Sequence, residues 1–479
     1  MTNKNITKNF YYIFNLFIKY LPSRILVVLN SLIIIPFFAY ILSENEMGLY
    51  QLTIGALNLL CTCSTDWITK STLRFYEKYK LQEKLPEFYS NIILISAIIY
   101  LATILFYLLF ADFISTKFFI PKSLLTMTII LIIPCGLRQF LYQMLRVLNK
   151  PFLYTFSIII YQISHLLLFL ALFKFLENVI AILASMSIAM FIIDIYIIKQ
   201  IQLKSTLKFS FDKKLIKESL QYSLPTIITN TGLWFLFHVN KFLFQKLSMF
   251  SNTAIVGIAW TYTTYIMTPL LSTFLFAIFP IIIKKYEHQK DIKQILTKTI
   301  QLYCIMFIPL VSIFIFYSNE IIQSMFDEKY SQASIIIPFF ALTIFLHELM
   351  KILNIKYHLK NRTYIEMLIT VLVGLICLYL NYTLIPVYKL WGAGIAMLSS
   401  IILLITLHSL VHFKNIATIQ ISKTLKTVTF TVFCGIIIFT IIHFSLQNLL
   451  PNKIAILKPI LFISIYYSTL WNLKNKILA

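Results

Sequence analysis

Runs of roughly 20 mostly apolar residues follow one another along the whole chain, separated by short polar gaps. They fall at 20–41, 49–69, 90–111, 123–145, 152–173, 178–199, 220–243, 253–282, 299–317, 333–354, 365–387, 391–413, 427–446 and 455–473. A helix needs about 20 such residues to cross a ~30 Å hydrocarbon core, and inside that core every backbone amide must be satisfied within the segment itself. The pattern therefore predicts an all-α integral membrane protein of about 14 transmembrane helices.

The polar gaps fall into two classes. Cations crowd into every second one: Lys70, Arg74, Lys78, Lys80 and Lys84, then Lys204, Lys208, Lys213, Lys214 and Lys217, then Lys284, Lys285, Lys290, Lys293 and Lys298. The positive-inside rule assigns these gaps to the cytoplasm, and an even number of spans then places both termini there too. Met1 to Tyr20, with Lys4, Lys8 and Lys19 around Phe10, Tyr11, Tyr12 and Ile13, is expected to be an amphipathic lead-in rather than a cleaved signal.

Composition narrows the choice of function. The chain is 59% hydrophobic and only 12% charged, so its net charge of +23 belongs to short loops beside anionic headgroups and does not point to nucleic acid. No gap exceeds about 20 residues, which leaves no room for a nucleotide-binding or glycosyltransferase domain. With nine glycines and no GxxxxGK[ST] loop, an ATPase is excluded as well. The expectation is a non-enzymatic transporter without a cofactor. Cys61, Cys63, Cys135, Cys304, Cys377 and Cys434 all lie in apolar spans and are expected to be small packing residues.

An internal repeat supports transport. At a displacement of 209–210 residues, Met47-Gly48-Leu49-Tyr50 matches Val256-Gly257-Ile258-Ala259, and Tyr76-Glu77 matches Tyr286-Glu287. The series Arg146, Lys150, Tyr154 matches Lys356, Lys360, Tyr364. The offset covers an even number of spans, so the copies keep one orientation and are related by an axis along the membrane normal. This predicts two six-helix lobes, 1–200 (spans 1–6) and 201–415 (spans 7–12), with spans 13 and 14 appended at 416–479.

Several local motifs resemble the oligosaccharide flippases of polysaccharide biosynthesis (Wzx-type). These belong to the superfamily that also holds lipid II flippases and multidrug exporters. Ser23-Arg24-Ile25-Leu26 resembles their first-span start, and Leu42-Ser43-Glu44-Asn45-Glu46-Met47-Gly48-Leu49-Tyr50 resembles their turn before span 2. Leu73-Arg74-Phe75-Tyr76 is similar to their basic-aromatic end of span 2, and Tyr222-Ser223-Leu224-Pro225 with Trp234 to the start of span 7. Leu384-Ile385-Pro386 followed by Gly392-Ala393-Gly394-Ile395-Ala396 resembles their corner between spans 11 and 12. Asn240-Lys241 stands where the family commonly has Asp-Arg, and Leu390 replaces the first glycine of the corner.

The resemblance implies a flippase of the bacterial cytoplasmic (inner) membrane. Its cargo would be an undecaprenyl-pyrophosphate-linked unit of O-antigen, lipopolysaccharide or capsule, moved from the inner to the outer leaflet by alternating access. The implied partners are that lipid-linked oligosaccharide, membrane lipids, and the polymerase and glycosyltransferases of the same pathway. Charges deep in a span are costly unless they face a wet cavity or a partner, so they are the functional candidates. Arg24, Arg138 and Lys241 are expected to hold the pyrophosphate, since a guanidinium can donate two hydrogen bonds to a phosphate at once.

Glu348 lies 210 residues beyond Arg138, at the matching place in the second lobe, and could pair with it as a latch. Glu348, Asp194 and Asp66 are the candidates for gating or for Na⁺ or H⁺ coupling; Glu366, His165, His238 and His347 are further intramembrane polar groups. Trp234, Trp260 and Tyr262, with Tyr265, are candidates for stacking on sugar rings. Alternatives are a multidrug-type cation antiporter and a lipid II flippase. The antiporter would want acidic cavity residues, and the lipid II flippase a second arginine near Asn30. A membrane-embedded glycan polymerase or ligase is the reading from another class.

Overall fold

The computed structural model describes residues 24–148, 150–201, 212–287, 293–359, 363–411, 421–446, 458–459 and 461–468. The expected N-terminal lead-in and the lysines at 204, 208 and 290 lie outside these residues. The described chain is helical almost throughout, with no strand. Nine of its helices are long and apolar enough to cross a membrane.

The helices in chain order are α1 (Arg24–Ile41), α2 (Glu44–Ser64), α3 (Asp66–Leu81), α4 (Leu85–Phe118), α5 (Lys122–Val147), α6 (Pro151–Leu172) and α7 (Asn178–Ile201). There follow α8 (Lys213–Lys246), α9 (Phe250–Glu287), α10 (Lys293–Phe316), the short α11 (Ser318–Met325), α12 (Ala333–Leu359), α13 (Thr363–Val411) and α14 (Ile421–Leu446).

Local chemistry sets the ends. At the start of α2 the Ser43 hydroxyl accepts from the Glu46 amide while the Glu46 carboxylate accepts from the Ser43 amide, a reciprocal capping box. Prolines open α4 and α6 in the first turn, where a missing N–H costs nothing. The expected second span, 49–69, breaks at Thr65. That residue has φ −119°, and its hydroxyl and amide both turn back to the Cys61 carbonyl. A new helix then starts at Asp66. α4 runs past the expected limit of 111 to Phe118, bending at Phe110.

Spans 11 and 12 form the two arms of α13, which reverses at Lys389 (φ 48°). Gly392 makes that corner possible: a Cβ there would stand 2.4 Å from the Leu384 carbonyl oxygen. The Leu-Ile-Pro…Gly motif is therefore the imprint of one backbone passing over another.

Two compact units are present. The first comprises Leu42–Gly257 and Thr363–Tyr379; the second comprises Met1–Ile41, Ile258–Arg362 and Leu380–Ala479. In the first, α5 packs against α2, α3, α4, α6 and α7, and α8 lies on α2 and α3. The first arm of α13 reaches α8 through facing glycines, since a Cβ on Gly374 would meet the Gly232 carbonyl oxygen at 2.7 Å. The core here is aromatic, with Trp67, Phe88, Tyr89 and Phe140 buried together. In the second unit, Tyr303 stacks on Phe345 at 5.0 Å and donates to its carbonyl oxygen. α14 lies on α10, with Phe439 stacked on Phe316 at 4.3 Å. Leucines and phenylalanines such as Leu101, Phe106, Leu108 and Leu109 stay exposed on α4, as a lipid-facing surface requires.

Candidate functional site

Arg138 sits on α5 at a depth where a charge needs a partner. It finds one on α6: the guanidinium lies over the Tyr161 ring, 4.2 Å from its centroid, a close cation–π contact. His165, one turn further along α6, stacks on the other partner of this pair, Tyr161, at 5.9 Å with planes 12° apart. Two further steps repeat the motif. Tyr142 meets Tyr154 edge-on at 5.1 Å, and Arg146 lies over Tyr154 at 5.5 Å.

Arg138, Tyr142 and Arg146 are spaced i, i+4, i+8, so one face of α5 carries all three. Tyr154 and Tyr161 are seven apart and share a face of α6. The result is an arginine–tyrosine ladder between α5 and α6. Its two guanidinium-bearing residues are about 12 Å apart along the helix axis, and Arg146 stands at the end that the charge pattern puts in the cytoplasm.

Asp194, on α7, is fully buried beside this ladder. Neither carboxylate oxygen has a hydrogen-bond partner among the described residues. Neither oxygen is paired with the Arg138 guanidinium. A second polar junction surrounds the α2–α3 break. Asn230 of α8 donates to the Asp66 carboxylate at 2.6 Å, and the Thr65 hydroxyl lies 3.0 Å from the Gln139 side-chain oxygen of α5. Cys61 and Cys135 meet here at 3.2 Å between sulfurs, as free thiols, while Cys63 turns toward Thr231 on another side.

Lys241 is 1% exposed. Its ammonium lies 3.4 Å from the Gln51 side-chain oxygen, and the Asn240 side chain accepts from its backbone amide. Trp234 is buried nearby, donating from its indole N–H to the Gly55 carbonyl at 2.8 Å and packing on Phe235, His238 and Phe242. In the second unit, Glu348 is 1% exposed and bound to Lys351 at 2.6 Å, with His347 at 3.8 Å. Trp260 is buried edge-on to Phe340, and Tyr262 donates to the Met325 sulfur between Phe314 and Phe326. Tyr265 is exposed. Arg24 is half-buried at the head of α1.

The first unit thus brings Arg138, Asp194 and Asp66 into neighbouring positions and also contains Lys241 and Trp234. Glu348, Trp260, Tyr262 and Arg24 belong to the second unit. The rings of Trp234, Trp260 and Tyr262 are covered by protein side chains in this state. Sequence reasoning missed Tyr142, Tyr154 and Tyr161 as partners of the arginines, although the i, i+4, i+8 spacing from Arg138 to Arg146 was there to find. It also missed Asn230, Gln139 and Gln51, neutral residues whose partners are remote in sequence. Among the described residues, no group of three or more His, Cys, Asp or Glu is arranged to hold a metal ion.

Known proteins fit this architecture. A lipid II flippase, MurJ, in its inward closed conformation is similar over 96% of this chain and 99% of its own, with TM-score 0.70 and 18% identity. An inward-facing multidrug resistance MATE family transporter of the MOP superfamily has TM-score 0.65 and 10% identity, covering 82% of this chain and 94% of its own. A Vibrio cholerae MATE transporter, VcmN, gives TM-score 0.52 at 13% identity, over 86% of this chain and 99% of its own. No curated protein sequence matches. The family model described as "Polysaccharide biosynthesis protein" matches residues 16–286. The chain therefore belongs to the polysaccharide biosynthesis protein family and is a multi-pass membrane protein with the fold of the MOP-superfamily transporters.

Proposed function

We propose that this protein is a flippase that moves an undecaprenyl-pyrophosphate-linked oligosaccharide from the inner to the outer leaflet of the bacterial cytoplasmic membrane. The observation that carries this reading is the ladder of Arg138, Tyr142 and Arg146 facing Tyr154 and Tyr161. Arginines inside an apolar bundle suit a cargo that brings phosphate oxygens with it, and tyrosines offer sugar rings both a flat face and a hydroxyl. Arg146 would meet the pyrophosphate at the membrane surface and Arg138 would take it deeper. The two lobes, 1–200 and 201–415, would then exchange access from one side to the other, with 416–479 appended. Outward movement of two negative charges is favoured by about 4–5 kcal/mol per 100 mV of membrane potential.

Resetting the empty carrier through Na⁺ or H⁺ exchange would fall to a buried carboxylate. Asp194 is the candidate best supported here, because it is fully buried and its oxygens lack hydrogen-bond partners among the described residues. Lipid II is the second reading for the cargo, supported by the similarity in fold to a lipid II flippase over 96% of the chain. Both cargoes share the polyprenyl pyrophosphate and differ in the sugar. An organic-cation exporter is the weaker reading, since two arginines line the ladder.

The test is translocation by the purified protein in proteoliposomes, comparing lipid-linked oligosaccharide, lipid II and a cationic dye. Transport of the first, and its loss in Arg138→Gln, supports the proposal; transport of the dye alone overturns it. Deletion of the gene should leave lipid-linked units on the inner face and deplete surface polysaccharide.

A further inference from the structure

A cavity of about 420 Å³ opens at the end of the first unit that the charge pattern puts in the cytoplasm. Tyr76 of α3, Leu85, Pro86 and Tyr89 of α4, Met144 of α5, Leu148 beyond its end and Ile201 of α7 line it, with Glu83 at the turn between α3 and α4. Its size is that of a small-molecule site. All these residues fall in or beside the cation-rich gaps, so the cavity lies at the level of the inner-leaflet headgroups. It does not touch the ladder: Met144 and Leu148 share a face of α5 opposite to that of Arg146.

We propose that this cavity binds one chain of an anionic glycerophospholipid of the inner leaflet. The lining is apolar and aromatic apart from Glu83, which suits an acyl chain and offers nothing to a soluble polar ligand. Three lysines attach to the lining residues themselves. Lys80 places its ammonium 5.9 Å from the centre of the Tyr76 ring. Lys84 directly precedes Leu85 and is exposed. Lys150 reaches the Gln200 carbonyl, next to Ile201, at 3.5 Å. Against these stand Glu83 in the wall and Glu87 in the first turn of α4.

Of the charged groups attached to the lining itself, three are ammoniums and two are carboxylates, at the mouth of an apolar hole at the depth of the phosphates. Basic pockets between membrane helices on the cytoplasmic side bind anionic headgroups for this reason. A zwitterionic lipid would fill the hole equally well and gain less from the lysines. The lipid is held separately from the transported cargo, so this proposal stands whether or not the flippase assignment does.

The experiment uses the full chain in nanodiscs containing equal amounts of phosphatidylglycerol and phosphatidylcholine. Diazirine-tagged versions of each are cross-linked and the peptides mapped. Phosphatidylglycerol should label residues 76–89 and 144–148 about tenfold more than phosphatidylcholine. Leu148→Trp, which fills the cavity, should abolish both, with Ile201→Trp as the substitute if the first variant is not monodisperse. Lys80→Gln with Lys84→Gln and Lys150→Gln should erase the preference and leave phosphatidylcholine labelling unchanged. Equal labelling by the two lipids in the unaltered protein overturns the proposal. So does labelling that survives the tryptophan, and so does competition by inorganic phosphate alone, which would mark a free-phosphate site.

Discussion

Gly257 lies against the side chain of Gln51 so closely that a Cβ would stand 2.6 Å from the Gln51 Cβ and 2.3 Å from its Cγ. Gly48, its counterpart in the internal repeat, faces back toward α9, where a Cβ would meet the Phe250 carbonyl oxygen at 3.3 Å. The repeat-related glycines thus make reciprocal contacts between the start of α2 and the start of α9. Adding a methyl at 257 forces Gln51 aside from its root. Gly257→Ala should cost about 1–3 kcal/mol and lower the thermal unfolding midpoint clearly more than Gly48→Ala. A smaller loss at 257 than at 48 would contradict the crossing.

Removing the guanidinium from the deeper step of the ladder should impair cargo capture. A hydrogen bond to a charged group is worth about 1.5–3 kcal/mol, so Arg138→Gln should weaken transport about 10- to 100-fold. Arg138→Lys keeps the charge and loses the fork, and should fall between the two. Initial transport rates in proteoliposomes at sub-saturating cargo measure this.

Lys241 is a buried cation facing a neutral amide, an arrangement that lowers stability. Lys241→Met should raise the unfolding midpoint, with a gain in stability of about 1 kcal/mol or more. If the ammonium serves transport, the same variant loses activity while gaining stability. A purely structural lysine would lose stability on the same change and keep its transport activity.

Cys61 and Cys135 bring their thiols to 3.2 Å across α2 and α5. In a background with the other four cysteines replaced by serine, a mild oxidant should join them and remove two hydrogens from the intact mass. Proteolysis between the helices should then leave the fragments linked. Failure to cross-link would place α2 and α5 differently.

The capping box at the head of α2 carries a pH dependence. Burial raises the Glu46 pKa, but bonds from the Ser43 amide and hydroxyl and from Asn178 outweigh it, so the net shift is downward from 4.5. A carboxylate with a depressed folded-state pKa adds stability above its unfolded value and loses it as pH falls through the folded value. Glu46→Ala should cost about 1 kcal/mol at neutral pH, the usual worth of a cap. The difference from the unaltered protein should shrink as pH falls below the ordinary value of 4.5.

The spans were legible because lipid imposes one simple rule on about 20 consecutive residues. The break at Thr65 was not, since Cys-Thr-Cys-Ser-Thr reads as unbroken and the turn depends on a hydroxyl bonding its own backbone. Arg138 stood out as a charge in an apolar run. Its partner did not, because Tyr161 is one of 28 tyrosines and nothing in its neighbourhood marks it. The repeat was visible as two tetrapeptides; that its glycines touch the opposite helices is a matter of packing. Pairs such as Asp66 with Asn230, or Lys241 with Gln51, join residues more than 160 positions apart, and no local periodicity records them.

Arg138 also bears on how the protein is made. A guanidinium cannot shed its proton, and an arginine at a helix centre costs about 2.5–3.5 kcal/mol during insertion by the translocon. When α5 leaves the ribosome, the ring of Tyr161 and the carboxylate of Asp194 have yet to emerge from it. The helix therefore gains its full hold on the bilayer only after α6 and α7 have emerged, and the three are best regarded as one unit of biogenesis.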